Sequence, residues 1–314
     1  MNAKLRSVVG GICLKAVLNP RCWPLLTLLA IGLPVSAAQL YFVDAHSQID
    51  EGVAAETVIS LMDENDVRAV ILATRGKPRP ETVIDWSDRY PGRIVPSVRT
   101  KGRNISAEYQ ARSGGFRAMS EVLLYHARKG SRAPEVVQMP SSMATRNALA
   151  LTREMGWPFV MHIEFASLPQ DRAKQYMGET EDLLTSNPDH NFVLIHMGQL
   201  PVKEAERLLS KYPNLHFFVS HSNPVTIPHS NQPWVNLFEG RRLAPVWKAL
   251  FLHYPKNFLF ALDNVWPEHW GKPYGEQMAL WREALQDLPQ EVAELFAHGN
   301  AERLWKLGRV PGRK

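Results

Sequence analysis

The feature that most constrains the fold is an alternation of short apolar runs with amphipathic segments, repeated eight times between residues 41 and 307. The apolar runs are typical of buried strands, and the segments between them have helical spacing. Continuous apolar strands separated by helices predict a parallel sheet covered by helices. Eight units close into a barrel, so we predict a single-domain α/β fold, a TIM-type (β/α)8 barrel over residues 38–314. An open doubly wound sheet is the alternative, although no glycine-rich phosphate turn follows the first strand.

The predicted strands are residues 41–45, 68–74, 93–99, 116–126, 158–164, 191–198, 215–221 and 257–263. The predicted helices are residues 52–66, 80–90, 104–113, 145–156, 170–186, 202–212, 244–254, 274–287 and 290–307. The run 116–126 fits either a strand or a helix. We assign it as the fourth strand because its neighbours already fill the helical positions.

Residues 1–37 have the pattern of an export signal. A basic start without acidic residues precedes a short apolar core and the small residues "VSAA", which is typical of a cleavable signal peptide. The core is shorter than the roughly 20 apolar residues that span a bilayer, although an uncleaved anchor is the alternative reading. We therefore expect no stable membrane anchor and a periplasmic or secreted protein that begins near residue 38.

Composition then limits the classes of partner. The chain has 36 Lys and Arg against 31 Asp and Glu, and the leader contains four of the basic residues and both cysteines. The remainder is close to neutral, so its charge gives no indication of nucleic-acid binding. It also lacks cysteine, which excludes thiol catalysis and disulfides. A small-molecule substrate is the expected partner.

Polar side chains stand where the predicted strands end, which is where barrel enzymes carry their catalytic groups. In chain order these residues are Asp44, His46, Gln48, Arg99, Glu121, His162, Glu164, His196, His221 and Asp263. A buried histidine or carboxylate without a partner is costly, so their position at strand ends predicts one shared pocket.

Four of these residues have roles that remain open at this point. Arg99 and Glu121 either bind substrate or form a structural ion pair. Glu164 binds substrate, orients a neighbouring histidine or is an ordinary strand-end charge, and His221 either contacts substrate or caps a turn. We take all four as candidate substrate-binding residues.

The motifs "DAH", "MHIE", "LIHMG" and "ALDN", at the first, fifth, sixth and eighth strands, are followed by "HGNAERLW" near the end. Their order resembles the amidohydrolase superfamily. Within it, the chain is similar to the amidohydrolase-related branch, which includes aminocarboxymuconate semialdehyde decarboxylase and pyrone dicarboxylate lactonase. The resemblance covers the chain after the leader and implies a barrel enzyme with a divalent metal at the strand ends.

Carried over residue by residue, the resemblance implies His46, Gln48, His162 and Asp263 as metal ligands. It implies Asp263 and His196 as the catalytic residues. The family has histidine where this chain has Gln48, whose neutral amide oxygen is a weaker ligand for transition metals. Glu121 stands where some members carry a modified lysine that bridges two metals. We therefore expect one divalent ion, zinc, rather than two.

Three functional hypotheses follow. The first is a mononuclear metal-dependent hydrolase, or C–C lyase, of a small carboxylate, ester, lactone or amide. The second is a metal-independent lactonase-type hydrolase, in which histidines polarise the carbonyl and Arg99 binds a carboxylate. The third is a non-catalytic ligand-binding barrel. The segment 221–242, with Trp234 and Phe238, is a candidate lid over the pocket.

Overall fold

The computed structural model describes residues 40–101 and 107–308. The predicted signal peptide, residues 1–37, lies outside these ranges, as does the start of the helix predicted at 104–113. No helix within the described ranges is both long and apolar enough to cross a membrane.

The strands of the described residues are β1 Phe42–Ile49, β2 Val67–Thr74, β3 Ile94–Val98, β4 Ala118–Met119, β5 Val122–His126, β6 Val136–Val137, β7 Phe159–Ile163, β8 Phe192–Leu194, β9 Leu215–Phe218, β10 Phe238–Glu239, β11 Arg242–Leu243 and β12 Phe258–Leu259. The α-helices are α1 Ala55–Glu64, α2 Thr82–Arg89, α3 Ala107–Ser113, α4 Met143–Met155, α5 Gln170–Ser186, α6 Val202–Lys211, α7 Pro245–His253, α8 Lys272–Ala284, α9 Gln290–Glu294 and α10 Asn300–Leu304. A π-helical turn, Leu295–Gly299, joins α9 to α10.

The parallel strands form a closed α/β barrel, which confirms the predicted fold class. One sheet has the order β1-β2-β3-β4, and the other has the order β12-β9-β8-β7-β5 with β6 antiparallel beside β5. β4 and β5 follow each other at the fourth strand position. The barrel closes between its first and last strands, where Ala45 N–H donates to Phe260 O at 3.0 Å and Asp263 N–H donates to His46 O at 2.9 Å.

Apolar side chains alternate between the two faces of the strands. Along β2, Ala69 and Ile71 belong to a small buried cluster that draws side chains from all eight strand positions and therefore fills the barrel. Val70 and Leu72 belong to the larger cluster, which packs the strands against the helices. This double burial explains why the strands have continuous apolar sequences.

Most predicted strands are shorter in the structure: the predicted strand 215–221 ends at Phe218, and that at 257–263 is reduced to Phe258–Leu259. Two further differences also concern residues near the site. The predicted strand 116–126 is divided into β4 and β5 by Ser120 and Glu121. The predicted strand 191–198 ends at Leu194, because His196 and Met197 both have φ of 52°, in the left-handed region that a strand cannot include. As a result, Glu121 and His196 both lie outside the hydrogen-bonded part of the sheet.

Candidate active site

A cavity of about 680 Å³ lies where these strand ends converge. Its titratable lining is dominated by cations and histidines. The lining includes Arg75, Lys101, Arg128, Lys129 and Arg132, the acids Glu121, Asp263 and Glu268, and the histidines His126, His162, His196, His221, His229 and His269. The strand-end residues Glu121, His162, His196, His221 and Asp263 are therefore brought together, as their positions in the sequence predict.

Three of the strand ends turn sharply into the cavity. His196, His221 and Asp263 have φ of 52°, 58° and 51°. A positive φ is uncommon for a residue with a side chain, and such strained residues cluster at functional sites. Only seven non-glycine residues in the described ranges have it, and three of them line this cavity.

Asp44 joins the first strand to the last. Its Oδ1 accepts hydrogen bonds from the N–H groups of His46 at 3.2 Å and Leu262 at 3.0 Å, and its Oδ2 accepts one from Ser47 Oγ at 2.6 Å. Burial raises the pKa of Asp44 to about 6, against these hydrogen bonds. Asp44 does not line the cavity, so it positions the residues on either side of the barrel closure.

Four side chains meet beneath the cavity. Gln48 Nε2 donates to Glu121 Oε1 at 3.0 Å and to Asp263 Oδ1 at 3.2 Å. His46 Nε2 lies 3.6 Å from Glu121 Oε1 and 3.4 Å from Asp263 Oδ1. That nitrogen is fully buried and has no hydrogen-bond partner among the described residues.

The electrostatics of this group favour a positive charge between its two carboxylates. Burial disfavours protonation of His46, but Asp263 and Glu121 outweigh it and raise the pKa of His46 to about 9. Burial alone would raise the pKa of Asp263, yet nearby His46 holds that pKa well below its ordinary value. Either a proton on His46 or a bound cation satisfies this requirement.

The same residues fit a divalent metal ion. One ligand atom from each of His46, Glu121 and Asp263 lies within 4.8 Å of the other two. A buried imidazole nitrogen that faces two carboxylate oxygens is a donor set that suits zinc. Gln48 presents its Nε2 to the carboxylates, so its amide must turn before its oxygen can serve as a ligand. Lys101 Nζ also contacts Glu121 Oε1.

His162 lies beside this group and not within it. Its Nδ1 contacts Glu121 Oε2, and its Nε2 lies 2.9 Å from Glu164 Oε1. Burial opposes protonation of His162, but these carboxylates raise its pKa. With both ring nitrogens engaged, His162 offers no free nitrogen to an ion bound beside His46, which differs from the ligand set implied by the family resemblance.

Glu164 is held from two sides. Its Oε2 accepts a hydrogen bond from Ala127 N–H at 2.7 Å, and its Oε1 contacts Lys129 Nζ as well as His162. Burial would raise the pKa of Glu164, but His162 and Lys129 lower it strongly. Of the roles left open by its sequence, Glu164 therefore orients His162.

His196 and His221 form a stacked pair on the other side of Asp263. Their rings are 4.5 Å apart and inclined by 9°, and their Nε2 atoms lie 3.4 Å and 3.8 Å from Asp263 Oδ2. Ser220 Oγ lies 2.9 Å from Nδ1 of His196. Burial lowers the pKa of His196 well below its ordinary value and that of His221 to about 4, so both are neutral at pH 7.

The two aromatic residues of the candidate lid have different positions. The Trp234 ring lines the cavity, with its centroid 4.8 Å from that of His196 and 5.2 Å from that of His221. Phe238 is buried and packs edge-on against Trp281 at 4.9 Å. Of these two lid residues, Trp234 is therefore the one that is available to a ligand.

Arg99 is not among the residues that line the cavity. Its guanidinium donates to the backbone carbonyls of Lys101 at 2.6 Å and Pro78 at 3.2 Å. This placement gives no support to the expected contact with a substrate carboxylate. Lys101 and Lys129 are the cations nearest the acidic residues, and neither stands at a strand end, so the strand-end pattern does not reveal them.

Solved structures with the same fold include enzymes of several reaction classes. A protein from Pseudomonas putida described as a 2-pyrone-4,6-dicarboxylic acid hydrolase has a TM-score of 0.56 and 13% identity, over 85% of this chain and 98% of its own. A 2,6-dihydroxybenzoate decarboxylase has a TM-score of 0.54 and 16% identity over the same shares. A zinc-bound amidohydrolase from Burkholderia multivorans has a TM-score of 0.52 and 15% identity, over 85% and 100%.

A comparison with curated protein sequences gives no significant match. The sequence model of the amidohydrolase family, by contrast, matches residues 42–307. That range begins at the first residue of β1 and ends just after α10, so it includes the whole barrel. The resemblance seen in the sequence motifs is thereby confirmed, and the chain belongs to the amidohydrolase family.

Proposed function

We propose that this protein is a mononuclear metal-dependent hydrolase, or a C–C lyase, of a small carboxylate-bearing ester, lactone or amide. The observation that carries the proposal is the buried Nε2 of His46, which has no hydrogen-bond partner in the part of the chain that the structure describes and faces the carboxylates of Glu121 and Asp263. These three residues, with Gln48 beside them, are the proposed ligands of one divalent ion, for which zinc is the best match.

The charge of the cavity supports a carboxylate substrate. Five Lys and Arg side chains line it against three carboxylates, and all three are already paired with neighbouring groups: Glu121 with Lys101, Asp263 with Gln48 and Glu268 with Arg132. A cavity with excess positive charge attracts and orients anions. The compounds named for two structural neighbours, 2-pyrone-4,6-dicarboxylic acid and 2,6-dihydroxybenzoate, are both carboxylates.

The protein residues divide the proton transfers between them. A divalent ion held by His46, Glu121 and Asp263 would supply Lewis-acid activation of water or of a substrate carbonyl. Asp263 is ionised because its pKa lies below its ordinary value, and its Oδ2, which faces His196 and His221, is the oxygen that would accept a proton. Nδ1 of His196 lies 2.9 Å from Ser220 Oγ and 3.2 Å from Ser220 O. In the tautomer in which the hydroxyl donates to Nδ1, the ring carries its proton on Nε2 and can donate to a developing oxyanion.

A metal-independent hydrolase is the second candidate, and two contacts to Glu121 favour it. Lys101 Nζ and Gln48 Nε2 both contact Glu121 Oε1, so protein donors already satisfy an oxygen that a metal would need. In this case the neutral rings of His196 and His221 polarise the carbonyl, and Asp263 accepts the proton.

Metal analysis of the chain from residue 38 onward separates the two candidates. We expect about one zinc, manganese or iron per chain after reconstitution, and much less in His46→Ala, because the metal needs that nitrogen. Gln48→His, which restores a nitrogen donor, should bind the metal at least about tenfold more tightly. Activity on an ester and lactone panel that survives chelation, with no metal in either protein, would support the second candidate. Tight ligand binding without turnover would point to a non-catalytic barrel.

We also propose that residues 1–37 direct export. Expression of the full chain should yield a periplasmic or secreted protein whose first residue lies near position 38. N-terminal sequencing of that fraction tests this, and an intact leader on a membrane-bound product would contradict it.

A further inference from the structure

A second group of ligand-type side chains lies on the other side of His162. His126, His162 and Glu164 are all buried, and one ligand atom from each lies within 4.8 Å of the other two. His126 ends β5, His162 lies in the neighbouring β7, and Glu164 follows directly after β7. Two adjacent strands therefore present two nitrogens and one oxygen to one point.

The histidines of this group are oriented as metal-binding histidines are. Nδ1 of His126 lies 3.1 Å from the carbonyl oxygen of Pro134, and a carbonyl can only accept. Nδ1 of His126 is thus the protonated nitrogen, which leaves a lone pair on Nε2. Nδ1 of His162 contacts the carboxylate of Glu121, and its Nε2 faces Glu164 Oε1 at 2.9 Å, so an ion bound between these two atoms would replace the hydrogen bond and release its proton. In metal sites the ring nitrogen away from the ion is commonly held by a carbonyl or carboxylate in this way.

A cation of the protein itself already occupies the group. Lys129 Nζ contacts Glu164 Oε1 and lies 3.1 Å from Nε2 of His126. An ammonium has three donors and no acceptor, so it pairs with a carboxylate and an unprotonated nitrogen as a metal ion does. The side chain of Lys129 is 19% exposed and that of Glu164 is 1% exposed, so the pair is largely withdrawn from water.

We propose that His126, His162 and Glu164 form a second divalent-cation site, and that the Lys129 ammonium occupies it in place of a metal. A site with two imidazole nitrogens and one carboxylate oxygen suits zinc or cobalt. While Lys129 is present, its charge and position exclude the ion. The inference goes beyond the proposed function and does not depend on it, because it concerns only the difference in metal binding between the wild-type protein and a variant without the Lys129 charge.

The test compares metal binding by the wild-type protein and by Lys129→Met, which keeps an unbranched chain of similar length without the charge. Both proteins are stripped with chelator and titrated with Zn²⁺ by calorimetry and with Co²⁺ by absorption spectroscopy. We expect Lys129→Met to bind about one equivalent more than wild type. Adding His126→Ala to this variant should abolish the extra equivalent. Lys129→Arg keeps the cation, and Lys211→Met removes an exposed lysine, so both should match wild type.

Equal stoichiometry in wild type and Lys129→Met, with both folded by circular dichroism, would overturn the inference. So would an extra equivalent that survives His126→Ala. If Lys129→Met does not fold, Lys129→Gln is subjected to the same titration with the same criteria. Zero equivalents in wild type and one in the variant would contradict the proposed metal at His46 while supporting the second site. One equivalent in both proteins would support the proposed metal at His46 and contradict the second site.

Discussion

Gln48 is the residue at which this chain departs from the family pattern, and its amide nitrogen bridges the two carboxylates of the site. A histidine at this position would put a lone pair toward a cation, whereas the amide puts donors toward the carboxylates. The substitution therefore lets the protein satisfy Glu121 and Asp263 without a metal. It also leaves His46 Nε2 as the atom that a metal would bind first.

Substitution of Asp263 should affect turnover, and substitution of Arg99 should not. Asp263→Asn removes the proton acceptor and should lower kcat by about 10²–10⁴-fold. Arg99→Met, for which the cavity offers no contact, should leave KM for a carboxylate substrate within about twofold of wild type. Steady-state kinetics on the best substrate of the panel measures both. A large rise in KM for Arg99→Met in a folded protein would restore Arg99 to the substrate-binding residues.

The raised pKa of His46 predicts a pH dependence for the metal-free protein. Because this pKa is about 9 in the folded state against 6.5 for an ordinary histidine, the protonated ring stabilises the fold fully below pH 6.5. The stabilisation is lost as pH rises through about 9, by up to about 3 kcal/mol. Urea unfolding at pH 6, 8 and 9.5 measures it, with His46→Gln as the reference. Equal pH dependence in both proteins would refute the assignment.

At the residue scale, the sequence predicted which histidines and carboxylates meet and missed the lysines that pair with them. His196 and Asp263 follow apolar runs, so burial and strand position identify them. Lys101 and Lys129 lie in loops, where no periodicity gives a signal, and only the folded chain brings them to Glu121 and Glu164. The same limit explains why Arg99 was expected in the cavity: its position at a strand end does not specify the direction of its side chain.

At the scale of elements, the turn after β8 depends on a glycine. Gly198 has φ of 64°, and a Cβ atom there would lie 2.6 Å from Leu194 Cδ2. Gly198→Ala should therefore destabilise the fold by about 1–3 kcal/mol and disturb the neighbouring His196. Gly178→Ala, in the exposed interior of α5 with open space around it, should be neutral or stabilising by about 0.5–1 kcal/mol. Thermal unfolding of both variants checks this, and equal effects would contradict it.

A carboxylate on α5 links that helix to α6. Glu181 accepts from Arg207 Nη2 at 2.8 Å, from Lys211 Nζ at 2.7 Å and from Tyr212 Oη at 2.7 Å. Burial alone would raise the pKa of Glu181, but these donors lower it to about 2. Its stabilising effect is therefore present above pH 4.5 and lost as pH falls toward 2.

Glu181→Gln should cost about 1–2 kcal/mol at pH 7, where the lost charge was paired with three donors. The cost should disappear near pH 2, because wild-type Glu181 is then losing its own charge. Chemical denaturation at both pH values measures the difference. A cost that stays constant with pH would mean that packing, and not charge, is lost.

The existence and order of the eight barrel strands and of the helices between them could be predicted because burial on both faces leaves continuous apolar runs. The short strands β6, β10 and β11 were not predicted. The residues at which these strands and helices end could not be predicted. The break between β4 and β5 falls at Ser120 and Glu121, and the early end of β8 comes from the positive φ of His196 and Met197, so neither lies at a glycine or proline. Local sequence gives no warning of such turns, which are stabilised by contacts distant in the chain.

At the scale of the whole molecule, closure of the barrel depends on side chains as well as on backbone. Asp44 binds the N–H of Leu262, and Ser47 Oγ accepts from the N–H of Asn264 at 3.1 Å. Asp44→Ala should leave two buried N–H groups without acceptors and cost about 2–4 kcal/mol, against about 1 kcal/mol for Ser47→Ala. Urea denaturation of the two variants measures this. A smaller decrease in the free energy of unfolding for Asp44→Ala than for Ser47→Ala would refute the role of Asp44 in barrel closure.

The segment between β5 and β6 supplies Arg128, Lys129 and Arg132, three of the five cations of the cavity, from one antiparallel excursion at the sheet edge. None of the residues beside His46 belongs to it. Arg128 and Arg132 therefore lie apart from the residues that would hold the metal, whereas Lys129 contacts Glu164 and through it His162. Exchanging Arg128 and Arg132 for neutral or acidic residues would change the charge of the cavity without changing any strand of the barrel.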